Sequence, residues 1–177
     1  KTVEANTRWS LVLPVEEEHM KETVLDVLMY LFESFVDGGE EPEHDRSNLR
    51  GDLERAGFGE REIERALDWL DGLNTTEIQT DSVAPRTTTT RLYDRLEQDR
   101  IDTQCRGYLL HLEQIGILTP PQRELVIDRL LALGSDDIDI DQIKWVVMMV
   151  LFSQPGQEQA YEQMEDLVFA EDLGCLH

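Results

Sequence analysis

The chain has 177 residues, room for one ordinary domain or two small ones sharing a core, and 40 % of them are apolar, enough to fold. Its formal charge of −22, from 38 acidic against 16 basic residues, opposes binding to nucleic acid, whose phosphates are met by Lys and Arg, and binding to anionic membranes. The longest apolar run, Trp145 to Phe152, is eight residues, short of the roughly 20 that span a bilayer and suited to a buried helix.

Acids are spread along the whole chain and only three lysines occur, Lys1, Lys21 and Lys144. A salt-adapted proteome accounts for such acidity as well as a preference for particular partners does. The two cysteines, Cys105 and Cys175, lie far apart and no signal-peptide pattern accompanies them, which predicts reduced thiols in a cytoplasm.

Residues 1–19 lack helical periodicity and are read as a non-native or disordered extension. Glu16, Glu17 and Glu18 are encoded by a purine run resembling a ribosome-binding site, one codon before Met20, so Met20 is the expected start; a native flexible arm is the rival reading.

From Lys21 to Val36 the residues Val24, Leu25, Leu28, Leu31, Phe32 and Phe35 recur on one helical face, and Asp37-Gly38-Gly39 stops that helix. A short helix is expected from a Ser47 cap to Ala56, then a joint at Gly57-Phe58-Gly59, then a helix from Glu60 to Leu73 carrying Ile63, Ala66, Leu67 and Leu70 with Trp69 beside them. The threonine-rich stretch that follows predicts two strands, at 76–80 and 88–93, paired as a β-hairpin.

The second half reads as helix throughout. One helix ends at Gly116 and begins either near Asp94 or after Asp102; Cys105 falls in its apolar pattern and is expected to be buried. Thr119-Pro120-Pro121 starts another that runs to about Leu133 before Gly134. Asp139 with Gln142 makes a capping-box start for an almost wholly apolar helix that ends at Pro155-Gly156. Gln157 to Phe169 supplies the last. The fold class is therefore mainly α, with a winged-helix-like three-helix unit plus β-hairpin over residues 20–93 and a helical bundle over 94–177.

No zinc spacing, phosphate-binding glycine loop or nucleophile elbow occurs, so no catalytic, cofactor-binding or metal residue is nominated and no cofactor is expected. Cys105 and His111, six apart on one helix, fall on different faces. Glu113 and Glu165, each in an otherwise apolar helix, read as solvated positions. The segment AGFGEREIERALDWL has the form of a helix-turn-helix, but from Glu60 to Asp71 it carries five acids against two arginines, poor for a DNA groove and better suited to packing or a protein contact. Arg86, Arg91, Arg95, Arg100 and Arg106 face only four acids over residues 86–106, a local balance of +1. They read as a clamp joining the two halves through carboxylates, or as a contact for an anion or RNA.

The segments MKETVLDVLMYLFESF (Met20–Phe35), AGF (Ala56–Phe58), EIERALDWLDGL (Glu62–Leu73), Arg91-x-Tyr93, CRGYLLHLEQIGIL (Cys105–Leu118), RELVIDRLLAL (Arg123–Leu133), KWVVMMVLFSQPG (Lys144–Gly156) and AYEQMEDLVF (Ala160–Phe169) resemble, in this order, the Smg family of uncharacterised bacterial proteins. The resemblance implies no established activity. It marks Arg91, Tyr93, Arg106, Arg123, Glu124, Lys144 and Trp145 as interaction or inter-domain residues, with Cys105, Gly107 and Pro155 as further signature positions. The function expected is a non-enzymatic adaptor or regulator that binds another protein in the cytoplasm. The alternative is a nucleic-acid or ribosome-associated factor using the Arg86–Arg106 stretch. Oligomeric state is left open.

Overall fold

The computed structural model describes residues 23–38, 46–75 and 91–174 and is mainly helical, with eight helices and no strand among them. The expectations placed on residues 1–19 and on Met20 lie outside the described residues. So does most of the expected hairpin, since 76–90 are not described; Arg91–Asp94, at its end, has no regular secondary structure.

The helices are α1 (Val24–Gly38), α2 (Arg46–Ala56), α3 (Glu60–Thr75), α4 (Arg95–Arg100), α5 (Thr103–Gln114), α6 (Pro120–Ala132), α7 (Ile140–Phe152) and α8 (Glu158–Gly174). Two compact units divide the chain, one of residues 1–67 with 169–177 and one of residues 68–168, so the division falls within α3 and within α8.

In the first unit most of the α1 face read from the sequence is buried, although Leu25 is only half-buried and Val27, not in that reading, is fully buried. Val24, Val27, Leu28, Leu31 and Phe32 of α1 are buried, as are Leu53 of α2 and Ile63, Ala66 and Leu67 of α3. Phe58, in the joint between α2 and α3, meets Tyr30 edge-on at 5.4 Å between ring centroids.

In the second unit, α5, α6 and α7 pack on one another. α7 is apolar nearly all round, which is stable only when every face is covered, and Trp145 through Leu151 are all buried. Each side chain of this size taken from water contributes about 1.5–3 kcal/mol, so α7 is the element on which the unit condenses. The last part of α3 joins the unit through Trp69, whose indole N–H donates to the Arg129 carbonyl at 2.8 Å, while Arg129 Nη1 donates back to the Trp69 carbonyl at 3.2 Å.

Local signals fix where these helices start and stop. Thr119 caps α6 with Gln122 answering from the third position, and Asp139 caps α7 with Gln142 in the same way; each box satisfies amides that would otherwise be orphaned at a helix start. Gly116 after α5 and Gly134 after α6 have φ of 84° and 75°, a conformation costly for a residue with a Cβ. The sequence offered Asp94 and Asp102 as rival starts for a single helix. Both are N-caps: Asp94 begins α4, Asp102 begins α5, and the fully buried Ile101 sits between, paired in a parallel bridge with Ile138.

Candidate functional site, an arginine and carboxylate network around Tyr93

The assembly starts from the short segment Arg91–Asp94. Asp94 receives the Glu97 amide at 2.8 Å, and the Glu97 carboxylate accepts from the Asp94 amide at 2.9 Å, a reciprocal box that turns the Glu97 side chain back over the segment. There it meets Arg91 in a fork-to-fork pair, Nη1 to Oε2 at 2.8 Å and Nη2 to Oε1 at 2.7 Å. Arg91 Nε donates in turn to both oxygens of Glu124 on α6, at 2.8 and 2.9 Å. Arg123 shares that carboxylate, with Nη2 2.7 Å from Glu124 Oε1, and also pairs with Glu113 on α5. Two cations lie over the Tyr93 ring: the Arg91 guanidinium carbon is 4.4 Å from its centroid and that of Arg106 is 5.5 Å away. Gln98 Nε2 donates to the Tyr93 carbonyl at 2.6 Å and completes the fastening of the backbone.

The electrostatics follow from occlusion. The side chains of Arg91 and Glu97 are 15 % and 13 % exposed, and that of Arg123 is 12 %. Hydrogen bonding from Arg91 holds the Glu97 carboxyl below its ordinary value despite partial burial. Burial alone would raise Glu124, but hydrogen bonds from Arg91 and Arg123 outweigh it and bring that carboxyl down too. Both arginines are raised, Arg91 mainly through Glu97 and Arg123 through Glu124 and Glu113 against its own desolvation. These groups stay charged through the neutral range. The arrangement holds a surface segment in place and presents what lies on it. Leu92 and Leu96, 89 % and 73 % exposed, lie within the segment thus fastened.

A family model described as "Protein of unknown function (DUF494)" matches residues 24–177. Proteins named "Protein Smg homolog" are similar over their full lengths: that of Alkalilimnicola ehrlichii is 48 % identical over 162 residues, and that of Nitrosococcus oceani 47 % over 159, each spanning 89 % of this chain. The homologue from Stenotrophomonas maltophilia strain K279a is 48 % identical over 160 residues, again 89 % of this chain and all of its own. The chain belongs to the Smg family. No solved structure matches it.

Five of the residues that the Smg resemblance singled out, Arg91, Tyr93, Arg106, Arg123 and Glu124, meet in this network. The other two stand on α7, where Lys144 pairs with Asp141 at 3.5 Å and Trp145 is buried. Of the arginine stretch, Arg100 donates to the Leu131 carbonyl at 3.3 Å and Arg106 to the Thr103 hydroxyl at 3.0 Å, while Arg86 lies outside the described residues. The carboxylate partners of Arg91 are on α4 and α6, inside the second unit.

Two members were not picked out from the sequence. Glu97 was legible in principle, because Asp94-x-x-Glu97 has capping-box spacing. Glu113 was read as solvated and is instead 22 % exposed and paired, because Arg123 reaches it across the turn between α5 and α6. Nothing local announces a pair ten residues apart.

Cys105, a Smg signature position, is buried and donates its thiol to the Ile138 carbonyl at 3.3 Å. Burial, then the Asp102 carboxylate beside it, pushes the thiol up to about 12, so it is held protonated, while His111 on the same helix is exposed. Among the described residues no group of His, Cys, Asp and Glu could hold a metal ion, and no helix is long and apolar enough to cross a membrane.

Proposed function

We propose that this Smg-family chain is a non-enzymatic adaptor or regulator in the cytoplasm that binds another protein, with Leu92 and Leu96 as anchors of its binding surface. The observation that carries this reading is the pairing of their exposure with the fastening of their backbone. Two leucines held in water are a standing cost unless a partner covers them, and each side chain so covered contributes about 1.5–3 kcal/mol. A backbone already pinned by Arg91, Asp94 and Glu97 loses little further freedom on association, which leaves more of that gain as affinity. Leu110 of α5 and Ile115 just after it, 51 % and 44 % exposed, add apolar surface in the same unit. A net charge of −22 steers a basic partner toward the molecule and opposes approach to phosphate backbones.

The winged-helix-like reading of the first half belongs to the same proposal. α2 and α3 meet at a tight joint in the manner of a helix-turn-helix, and the acids of α3 suit a protein contact better than a DNA groove. The alternative, a nucleic-acid or ribosome-associated factor using the arginine stretch, has less support. Arg91 is engaged by two carboxylates and Arg106 lies over Tyr93.

The test is capture from the native host with a C-terminal tag, with and without nuclease, comparing the wild type with a Leu92→Asp/Leu96→Asp double variant of matched melting temperature. A stoichiometric protein that survives nuclease and is lost with the double variant is the expected result. Recovery of RNA or ribosomal proteins that disappears with nuclease would overturn the proposal, as would a partner that the double variant retains.

A further inference from the structure

We propose that residues 91–101 form a strap, fastened permanently at its Ile101 end and releasably at its Arg91 end, and that Glu124 is the clip. The inference deepens the preceding reading by naming how presentation of Leu92 and Leu96 is controlled. It rests on that reading only for its purpose, since release of the strap is measurable with no partner present.

The two ends of the strap are held by different physics. At the far end Ile101 is fully buried, bridges Ile138, and has its neighbour's carbonyl taken by the Ile138 amide at 3.2 Å; Arg100 adds its bond to Leu131. Apolar burial of this kind does not weaken when salt is added. Between the ends, α4 contributes no buried side chain at all, so it does not adhere through a core of its own. At the near end the attachments are the ion pair of Arg91 with Glu124 and the Arg106 guanidinium over the Tyr93 ring. Pairs of that kind are open to screening and competition in proportion to their exposure.

Glu124 is singled out by topology. Among the described residues it is the carboxylate shared by Arg91, on the strap, and Arg123, on the body. Without it, Arg91 keeps its fork-to-fork pair with Glu97, which belongs to the strap, and Arg123 keeps Glu113, which belongs to the body. No charge is stranded on either side, so the link is cut without the penalty of an unpaired buried ion. The Glu124 side chain is also 48 % exposed, against 12–22 % for Arg91, Glu97, Arg123 and Glu113, so an incoming cation reaches the clip before the other carboxylates. Released there, the segment carrying both leucines keeps at this end only the contact of Tyr93 with Arg106 of α5.

The test is hydrogen exchange by mass spectrometry on the full chain, comparing wild type with Glu124→Gln at low salt, and wild type at low and at molar salt, where the screening length shrinks to about 3 Å. Amides of 94–98, toward the released end, are expected to exchange about tenfold faster or more in Glu124→Gln, and in wild type at molar salt, while amides of α5, α6 and α7 are unchanged. Unaltered protection of 94–98 in both comparisons overturns the clip. Faster exchange spread equally over α4 to α7 overturns it as well, since Glu124 would then support the unit as a whole. The capture experiment fails or succeeds independently, because it reads Leu92 and Leu96 and not their fastening.

Discussion

Among the described residues two arginine clusters of similar composition occur, and they are built for different ends. In the first unit Arg50 of α2 reaches three carboxylates, Glu54 at 3.0 Å, Glu60 at 2.6 Å and Glu64, and Arg46 adds a second bond to Glu64 at 3.1 Å. In the second unit Arg91 and Arg123 reach three carboxylates between them. By number of partners per arginine the first cluster is the richer. By occlusion the order reverses, since Arg50 is 37 % exposed with partners at 40–78 %, whereas Arg91 and Arg123 are 15 % and 12 % exposed. The first cluster joins two consecutive helices that already share buried apolar residues; the second joins a loop, α4, α5 and α6. Water and salt screen the former throughout, whereas in the latter they reach Glu124 at 48 % exposure and hardly reach Arg91, Glu97, Arg123 and Glu113. Counting ion pairs would rank the two wrongly.

The largest effect that separates them is expected from Arg123→Ala. It leaves Glu113 at 22 % exposure without its partner and takes one of the two cations from Glu124. Abandoning a largely occluded carboxylate is worth about 2–3 kcal/mol, read as a lowered urea midpoint by circular dichroism. A loss no greater than that of an exposed surface pair would mean that the occlusion carries no energetic weight.

A smaller effect is expected with pH, and its sign follows from the two lowered carboxyls. Glu97 and Glu124 titrate below their unfolded value of 4.5, so the stability they lend is fully present above that value and is lost as pH falls through their folded values. The wild type should therefore lose stability on acidification more steeply than Arg91→Ala, which has removed the chief cause of the Glu97 shift and a main cause of that at Glu124. Stability curves that run parallel below pH 4.5 would contradict this assignment.

How much of this was legible in the sequence depends on the range over which each signal acts. The starts of α6 and α7 were readable because a cap satisfies amides two or three residues away, as Thr119 and Asp139 do, whereas Ser47, read as a cap, lies inside α2. The uncertainty between Asp94 and Asp102 was itself a true signal, because each residue has a helix to cap. An unbroken apolar run, Trp145 to Phe152, marked α7 as a buried helix for an equally local reason. The network was not readable from spacing. With 38 acids on the chain, nothing in the sequence says that Arg123 chooses Glu113, or that Arg91 chooses Glu124 thirty-three residues on. The residues were singled out through the family resemblance, and their joint purpose emerged only when the folded chain brought them together. The lock of Trp69 on Arg129, sixty residues apart, was invisible for the same reason.

The smallest effect should come from Arg50→Ala, and it is the sharpest check on the comparison because the substitution removes more ion pairs than Arg123→Ala does. Each carboxylate it abandons is between 40 % and 78 % exposed and turns to water instead, so the desolvation that makes an orphaned charge expensive does not arise. The pull of Glu54 and Glu64 that raises Arg50 is likewise shared with solvent. The urea midpoint should match the wild type within error at moderate salt, and any difference seen at low salt should vanish as salt is added. A deficit comparable to that of Arg123→Ala, persisting at high salt, would show that Arg50 holds α2 on α3 through more than its charge, and exposure would then no longer be the quantity that distinguishes the two clusters.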